Sequence, residues 1–180
     1  MEGDPGLRSA FASMLEKRYK GKMPTIIMGG AKSNTVHDYQ KSTSNPSVIK
    51  LLLIDLDAAD SDANKKGDLE NHQLLDHQDC VFYMIQEMEA WFIHQPAAID
   101  MAFPRQGTKG LVSGHVPTTR PVSDIKNPKE HMHTAFRAAK RPRYKEVNDG
   151  ANILTFLDIG QLCRDDAEFK KLIDRLDQTL

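Results

Sequence analysis

Cysteine is scarce in this 180-residue chain: there are two, Cys80 and Cys163. They stand far apart, with no C-x-x-C or Cys/His spacing. A disulfide framework and a thiolate zinc site are therefore excluded, and a reduced, cytoplasmic setting is expected. The chain lacks a basic start followed by an apolar run, so no signal peptide is read. No apolar stretch approaches the length of a membrane span, and no membrane partner is expected. Charge of one sign is also missing. The formal net charge is −1, so there is no global basic field of the kind that announces a nucleic-acid binder, and any such binding must come from a local patch. G-x-S-x-G, Walker and G-x-G-x-x-G motifs are absent, which removes the commonest hydrolase and nucleotide signatures. No internal repeat is found. What remains is an ordinary globular balance, 27% charged and 39% apolar, in a length that predicts one domain with a proper core.

The chain is organised around VIKLLLIDLD, Val48 to Asp57. Apolar residues crowd its first seven positions without helical spacing, which predicts a strand buried on both faces at the centre of a parallel sheet. It ends in acid, at Asp55, Asp57, Asp60 and Asp62. Ligands of open α/β sheets bind beyond the carboxyl ends of the strands, and two aspartates one residue apart suit a divalent cation there. Aspartate is equally a turn-forming residue at strand ends. An EF-hand is rejected, because the sixth and twelfth positions of a loop starting at Asp55 hold Asp60 and Lys66 rather than Gly and Glu.

Elsewhere, Asp4-Pro5 and Gly21 bracket a helix whose stripe is Leu7, Phe11, Met14 and Leu15. PTIIMGG predicts a strand over Pro24–Met28, and a polar helix follows over Asn34–Ser42. Ser42 to Ser47 and Ala58 to Gly67 read as loops, with a helix around Asp68 to Leu75. CVFYMIQ is the next strand. It runs into EMEAWFIHQPAAIDMAF, a helix that breaks at Pro96 and restarts. Glu87 and Glu89 sit at that junction, where the helix macrodipole alone would favour acids. Trp91 is expected to pack in the core, not to stack a base. Pro104 to Pro121 contains no acid and reads as a functional or partly disordered loop. Helices are predicted from Asn127-Pro128 to about Ala139, over Asp149–Asp158, and over Asp165–Leu176. KRPRYK, Lys140 to Lys145, is a basic cluster suited either to phosphate contact or to a solvated helix end. His131 and His133 are two apart on a helix, do not face one another, and read as surface histidines.

With Glu2-Gly3, Asp55-x-Asp57 and Glu87-x-Glu89-Ala90-Trp91 in hand, the chain resembles the Toprim-like proteins of domain-of-unknown-function family 4276. Tyr144-x-x-Val147 and the phenylalanine-bearing last helix add to the likeness. The resemblance implies a three-layer Toprim-like (Rossmann-like) α/β fold, with a central, mainly parallel sheet flanked by helices. It would span residues 1–180 as one domain, with a helical C-terminal part from about residue 123. It implies a Mg²⁺ or Mn²⁺ site made by Glu2, Asp55 and Asp57, with Glu87 or Glu89 added as in the related nucleases. Glu2, Asp55, Asp57, Glu89 and a distant lysine, for which Lys145 is the candidate, would be catalytic, and Lys140, Arg141, Arg143 and Lys145 would hold DNA or RNA. The activity implied is metal-dependent phosphodiester hydrolysis, in phage defence and beside an ATPase partner. A non-catalytic partner or regulatory module on the same scaffold is the alternative. In the family the glutamate closes a core strand, whereas here only Met1 precedes it.

Overall fold

The computed structural model describes residues 4–42, 48–117 and 121–180. Two strands, β1 (Leu52–Asp55) and β2 (Val81–Met84), pair in parallel, Leu52 opposite Val81 and Asp55 opposite Met84. Their side chains alternate between two cores, as the period of a strand requires. Leu52, Ile54, Val81, Tyr83 and Ile85 join one cluster with Val36, Tyr39 and Leu69, supplied by α2 (Lys32–Ser42) and α3 (Asp62–Asn71). Leu51, Leu53, Phe82 and Met84 meet the other and larger cluster. That one is built from α1 (Pro5–Tyr19), α4 (Glu89–His94), α5 (Pro96–Ala102), α6 (Pro128–Ala138), α7 (Glu146–Leu154), α8 (Ile159–Asp165) and α9 (Ala167–Thr179). The fold is thus a mixture of helix and parallel strand.

Local chemistry sets most boundaries. The Asp4 carboxylate accepts from the Gly6 and Leu7 N–H groups and starts α1, while Lys20 closes it in the left-handed region. Asp158 and Asp166 cap α8 and α9 in the same way as Asp4. A Cβ on Gly29 would lie 1.8 Å from Thr35 Oγ1, so the turn into α2 tolerates no side chain there.

Several expectations are corrected. Pro24–Met28 is not a strand: it has no ladder partner among the described residues, and Ile27 is 83% exposed. With two described strands, β1 is not central. The strand also starts later than its apolar run, since Val48 and Ile49 are 51% and 58% exposed. Hydrophobicity there outlasts burial. Residues 62–67 belong to α3 and not to a loop, because Ser61 accepts from the Asn64 N–H and caps the helix ahead of Gly67. α7 begins at Glu146, three residues before its expected start, and α8 has no counterpart among the expected helices. In the described part of the acid-free segment Val112 and Val116 are buried, and its residues 118–120 lie outside the described residues. Glu2 and the loop residues 43–47 lie outside the described residues.

Candidate functional site at the carboxyl end of the sheet

Asp55 is the last residue of β1 and half-buried; its Oδ1 is sealed from solvent and has no hydrogen-bond partner among the described residues. Leu56 turns into the core, 4% exposed, with its N–H on the Met84 carbonyl at 2.9 Å. The Asp57 N–H then donates to the Gln86 carbonyl at 3.1 Å. Both residues of that pair are left-handed, Asp57 at φ 56° and Gln86 at φ 63°, a conformation uncommon outside glycine. The chain therefore leaves strand geometry two residues past Asp55, which frees Asp57 from the alternation that would send it to a fixed face. Burial, then the charges of Asp57 and Glu87, push the Asp55 carboxyl up to about 6.

The other acids have separate duties. Asp57 is exposed and faces Lys32 Nζ at 3.4 Å; the same ammonium binds Asp68 at 2.6 Å. Glu87 accepts from the Lys129 N–H at 3.1 Å, supplying the N-terminus of α6 with a cap that Asn127 does not provide, and its second oxygen meets Lys129 Nζ at 3.2 Å. Glu89 points inward instead. It is 3% exposed and accepts from the Tyr144 hydroxyl at 3.1 Å. Burial drives its carboxyl up to about 7 against the pull of its own N–H, Lys129 and Tyr144. Burial alone would lower Lys129, but Glu87, Glu89 and Glu146 together hold its ammonium above the ordinary value.

Beside the strand end opens a cleft of about 940 Å³. One wall carries Asp57, Gln86 and Glu87; the other is α6 and the chain beyond it, with Lys129, His133, Arg137, Arg141 and Arg143 and one acid, Glu130. Of the KRPRYK cluster, Arg141 is tied to the carbonyls of Phe103, Pro104 and Gly110 and lies over the Phe103 ring, while Arg143 is exposed. Lys140 and Lys145 do not line the cleft; Lys145 is exposed at the start of α7, its N–H bonded to Asp149. The lysine beside the acids is Lys129. A sequence signal for it existed: Lys129, His133 and Arg137 are spaced four apart on the expected helix and so share one face. His133 is half-buried rather than free on the surface, its ring edge-on to Tyr144 at 5.5 Å.

A family model described as a domain of unknown function, DUF4276, matches residues 7–177. The chain belongs to the DUF4276 family. No curated protein and no solved structure matches it. In this DUF4276 protein, no group of three or more His, Cys, Asp and Glu side chains among the described residues is gathered as a metal site. The donors that fit a hard divalent cation are the unpartnered oxygen of Asp55 and its neighbour Asp57, since such an ion keeps several waters. Among the described residues no helix is long and apolar enough to cross a membrane.

Proposed function

We propose that this DUF4276 protein is a Mg²⁺- or Mn²⁺-dependent phosphodiesterase acting on DNA or RNA, built on a Toprim-like scaffold with its reacting centre at the end of β1. The observation that carries the reading is Asp55: a buried carboxylate oxygen without a partner, at the carboxyl end of a parallel strand, next to a cleft with basic side chains. Buried polar atoms are bonded nearly everywhere in proteins, so an orphan of this kind asks for a ligand. Asp55 and Asp57 would hold the cation, with Glu2 as a third donor. A bound Mg²⁺ supplies polarisation of a phosphate oxygen and a more acidic water. Lys129 would offset charge on the phosphate, being close enough to the acids for Glu87 and Glu89 to bias its ionisation. Lys32 is paired with Asp57. An ATPase partner and a role in phage defence extend the same proposal.

One observation favours the second reading, a non-catalytic module: Glu87 and Glu89 are already engaged by Lys129 and Tyr144. Incubation with single- and double-stranded DNA and RNA, in Mg²⁺, Mn²⁺ or EDTA, separates the two. Asp55→Asn should abolish metal-dependent cleavage and Mg²⁺ uptake in calorimetric titration. Unchanged cleavage, or equal metal binding by both proteins, would remove the site from Asp55.

A further inference from the structure

We infer that the basic face of α6, continued by Arg143, is a track for the sugar-phosphate backbone of one nucleic-acid strand, leading its phosphates to the carboxylates at the end of β1. The inference rests on the phosphodiesterase reading for its direction, but not for its binding chemistry. Lys129, His133 and Arg137 recur every four residues and line one side of the cleft. From Lys129 to Arg137 the helix rises about 12 Å, at 1.5 Å per residue. A single strand lying along that length brings more than one of its phosphates over the face.

The distribution of charge selects the ligand. Among the described residues, Arg137 and Arg143 have no carboxylate partner, whereas Lys129 is paired with Glu87 and Glu146. Lys129 thus stands beside Glu87, and His133 also faces Glu146, while Arg137 and Arg143 lie unpaired further along a wall that carries one exposed acid, Glu130. A single phosphate would need one convergent cluster; a line of separated cations matches a polyanion of regular spacing. Arg141 also lines the cleft, and its bonds to three carbonyls hold the chain that carries Arg143. His133 is the one ring in the lining and it packs on Tyr144, so the cleft has no aromatic platform among the described residues and should be indifferent to base identity. Its volume of about 940 Å³ is at the upper end for small-molecule clefts. That is room for a few nucleotides of one strand and too little to enclose a duplex.

The test is fluorescence anisotropy of the whole protein in EDTA, where binding is read without cleavage. The probes are labelled 12-nucleotide single strands of DNA and RNA, a 3-nucleotide strand, and a 12-base-pair duplex. Wild type should bind the 12-mers at least tenfold more tightly than the 3-mer and more tightly than the duplex. Arg137→Glu and Arg143→Glu should each weaken 12-mer binding at least tenfold, with melting temperatures unchanged. The alanine variants should flatten the dependence on log salt by about 0.7 for each phosphate they no longer neutralise. Lys22→Glu, the same charge change at an exposed residue outside the cleft, should leave binding near wild type. Equal affinity for the 3-mer and 12-mers, preference for the duplex, or equal losses in Lys22→Glu and Arg137→Glu would each overturn the track. The two proposals fail separately. Strand binding through Arg137 without cleavage in Mg²⁺ or Mn²⁺ sinks only the phosphodiesterase, and cleavage that survives Arg137→Glu with binding intact sinks only the track.

Discussion

Asp166 and Asp55 are the same residue type in two kinds of surroundings. Asp166 is 4% exposed and fully engaged: its carboxylate accepts from Trp91 Nε1 at 2.7 Å and from the Glu168 and Phe169 N–H groups at 2.9 and 3.0 Å. Burial raises its carboxyl, and those three donors pull it back. Burial raises Asp55 as well, but the neighbours that come next are Asp57 and Glu87, which raise it further. One buried acid joins α9 to α4 and holds the core together. The other has a buried oxygen, Oδ1, that no hydrogen bond compensates among the described residues. A buried acid therefore informs about function only after its donors have been counted.

The comparison can be broken by substitution. Trp91→Ala removes a fully buried ring that packs edge-on to Phe169 at 5.0 Å, and it strips Asp166 of a donor; we expect a loss of about 4 kcal/mol in urea unfolding. A loss under about 1 kcal/mol would show that the Asp166 region is not the structural one. Asp166→Ala uncaps α9 and leaves the indole N–H unbonded, and should cost about 3 kcal/mol.

Asp55→Asn should act with the opposite sign. A carboxyl raised from its ordinary 3.8 to about 6 in the folded protein binds its proton more tightly folded than unfolded. Its contribution is full below pH 3.8 and is lost as pH rises through 6. The amide mimics the protonated acid, so the variant should be more stable by about 1–2 kcal/mol at about pH 7.5 and equal to wild type at about pH 4, in metal-free buffer. Destabilisation at the higher pH would mean that the Asp55 charge has a stabilising partner. The smallest effect is expected at the inward acid. Tyr144→Phe removes the one hydroxyl on Glu89 and should cost about 1 kcal/mol, more at about pH 8 than at about pH 6, because Glu89 is ionised only above about 7. Carbon-detected titration of Glu89 should show its midpoint moving upward in the variant. A downward or unmoved midpoint would show that the hydroxyl does not stabilise the carboxylate.

What the sequence made legible was whatever is decided within a few residues. Asp4-Pro5 and Gly21 bracket α1 by capping chemistry that needs no distant partner, and Pro96 divides α4 from α5 for the same reason. Asp55 and Asp57 stand out because an apolar run ends in acid. Features that depend on what comes to lie alongside could not be read. Val48 and Ile49 continue an apolar pattern into solvent, and Ile26 and Ile27 form a run that no neighbouring strand completes among the described residues. Gly67 hid α3, since glycine inside a helix costs about 1 kcal/mol against alanine and argues for a loop until the cap at Ser61 is recognised. The division of labour between Glu87 and Glu89 follows from Lys129 and Tyr144, which lie 42 and 55 residues away. Lys145 stands out in the sequence for its cluster, but pairing with Glu87 depends on proximity in space, and that belongs to Lys129.

The paired left-handed residues at the ends of the two strands separate shape from chemistry at the rim. Asp57 and Gln86 are joined by a backbone hydrogen bond just past the end of the ladder and are both left-handed. The lip of the cleft is therefore drawn by main-chain torsions, not by the side chains mounted on it. Asparagine enters the left-handed region about as readily as aspartate, and glycine enters it with no steric cost. Asp57→Asn thus edits charge alone, and Asp57→Gly edits charge while relaxing the backbone. Alanine at the same position does neither cleanly. A rim of this construction can exchange its functional groups without being rebuilt, which makes it a place where activity can diverge while the fold stays the same.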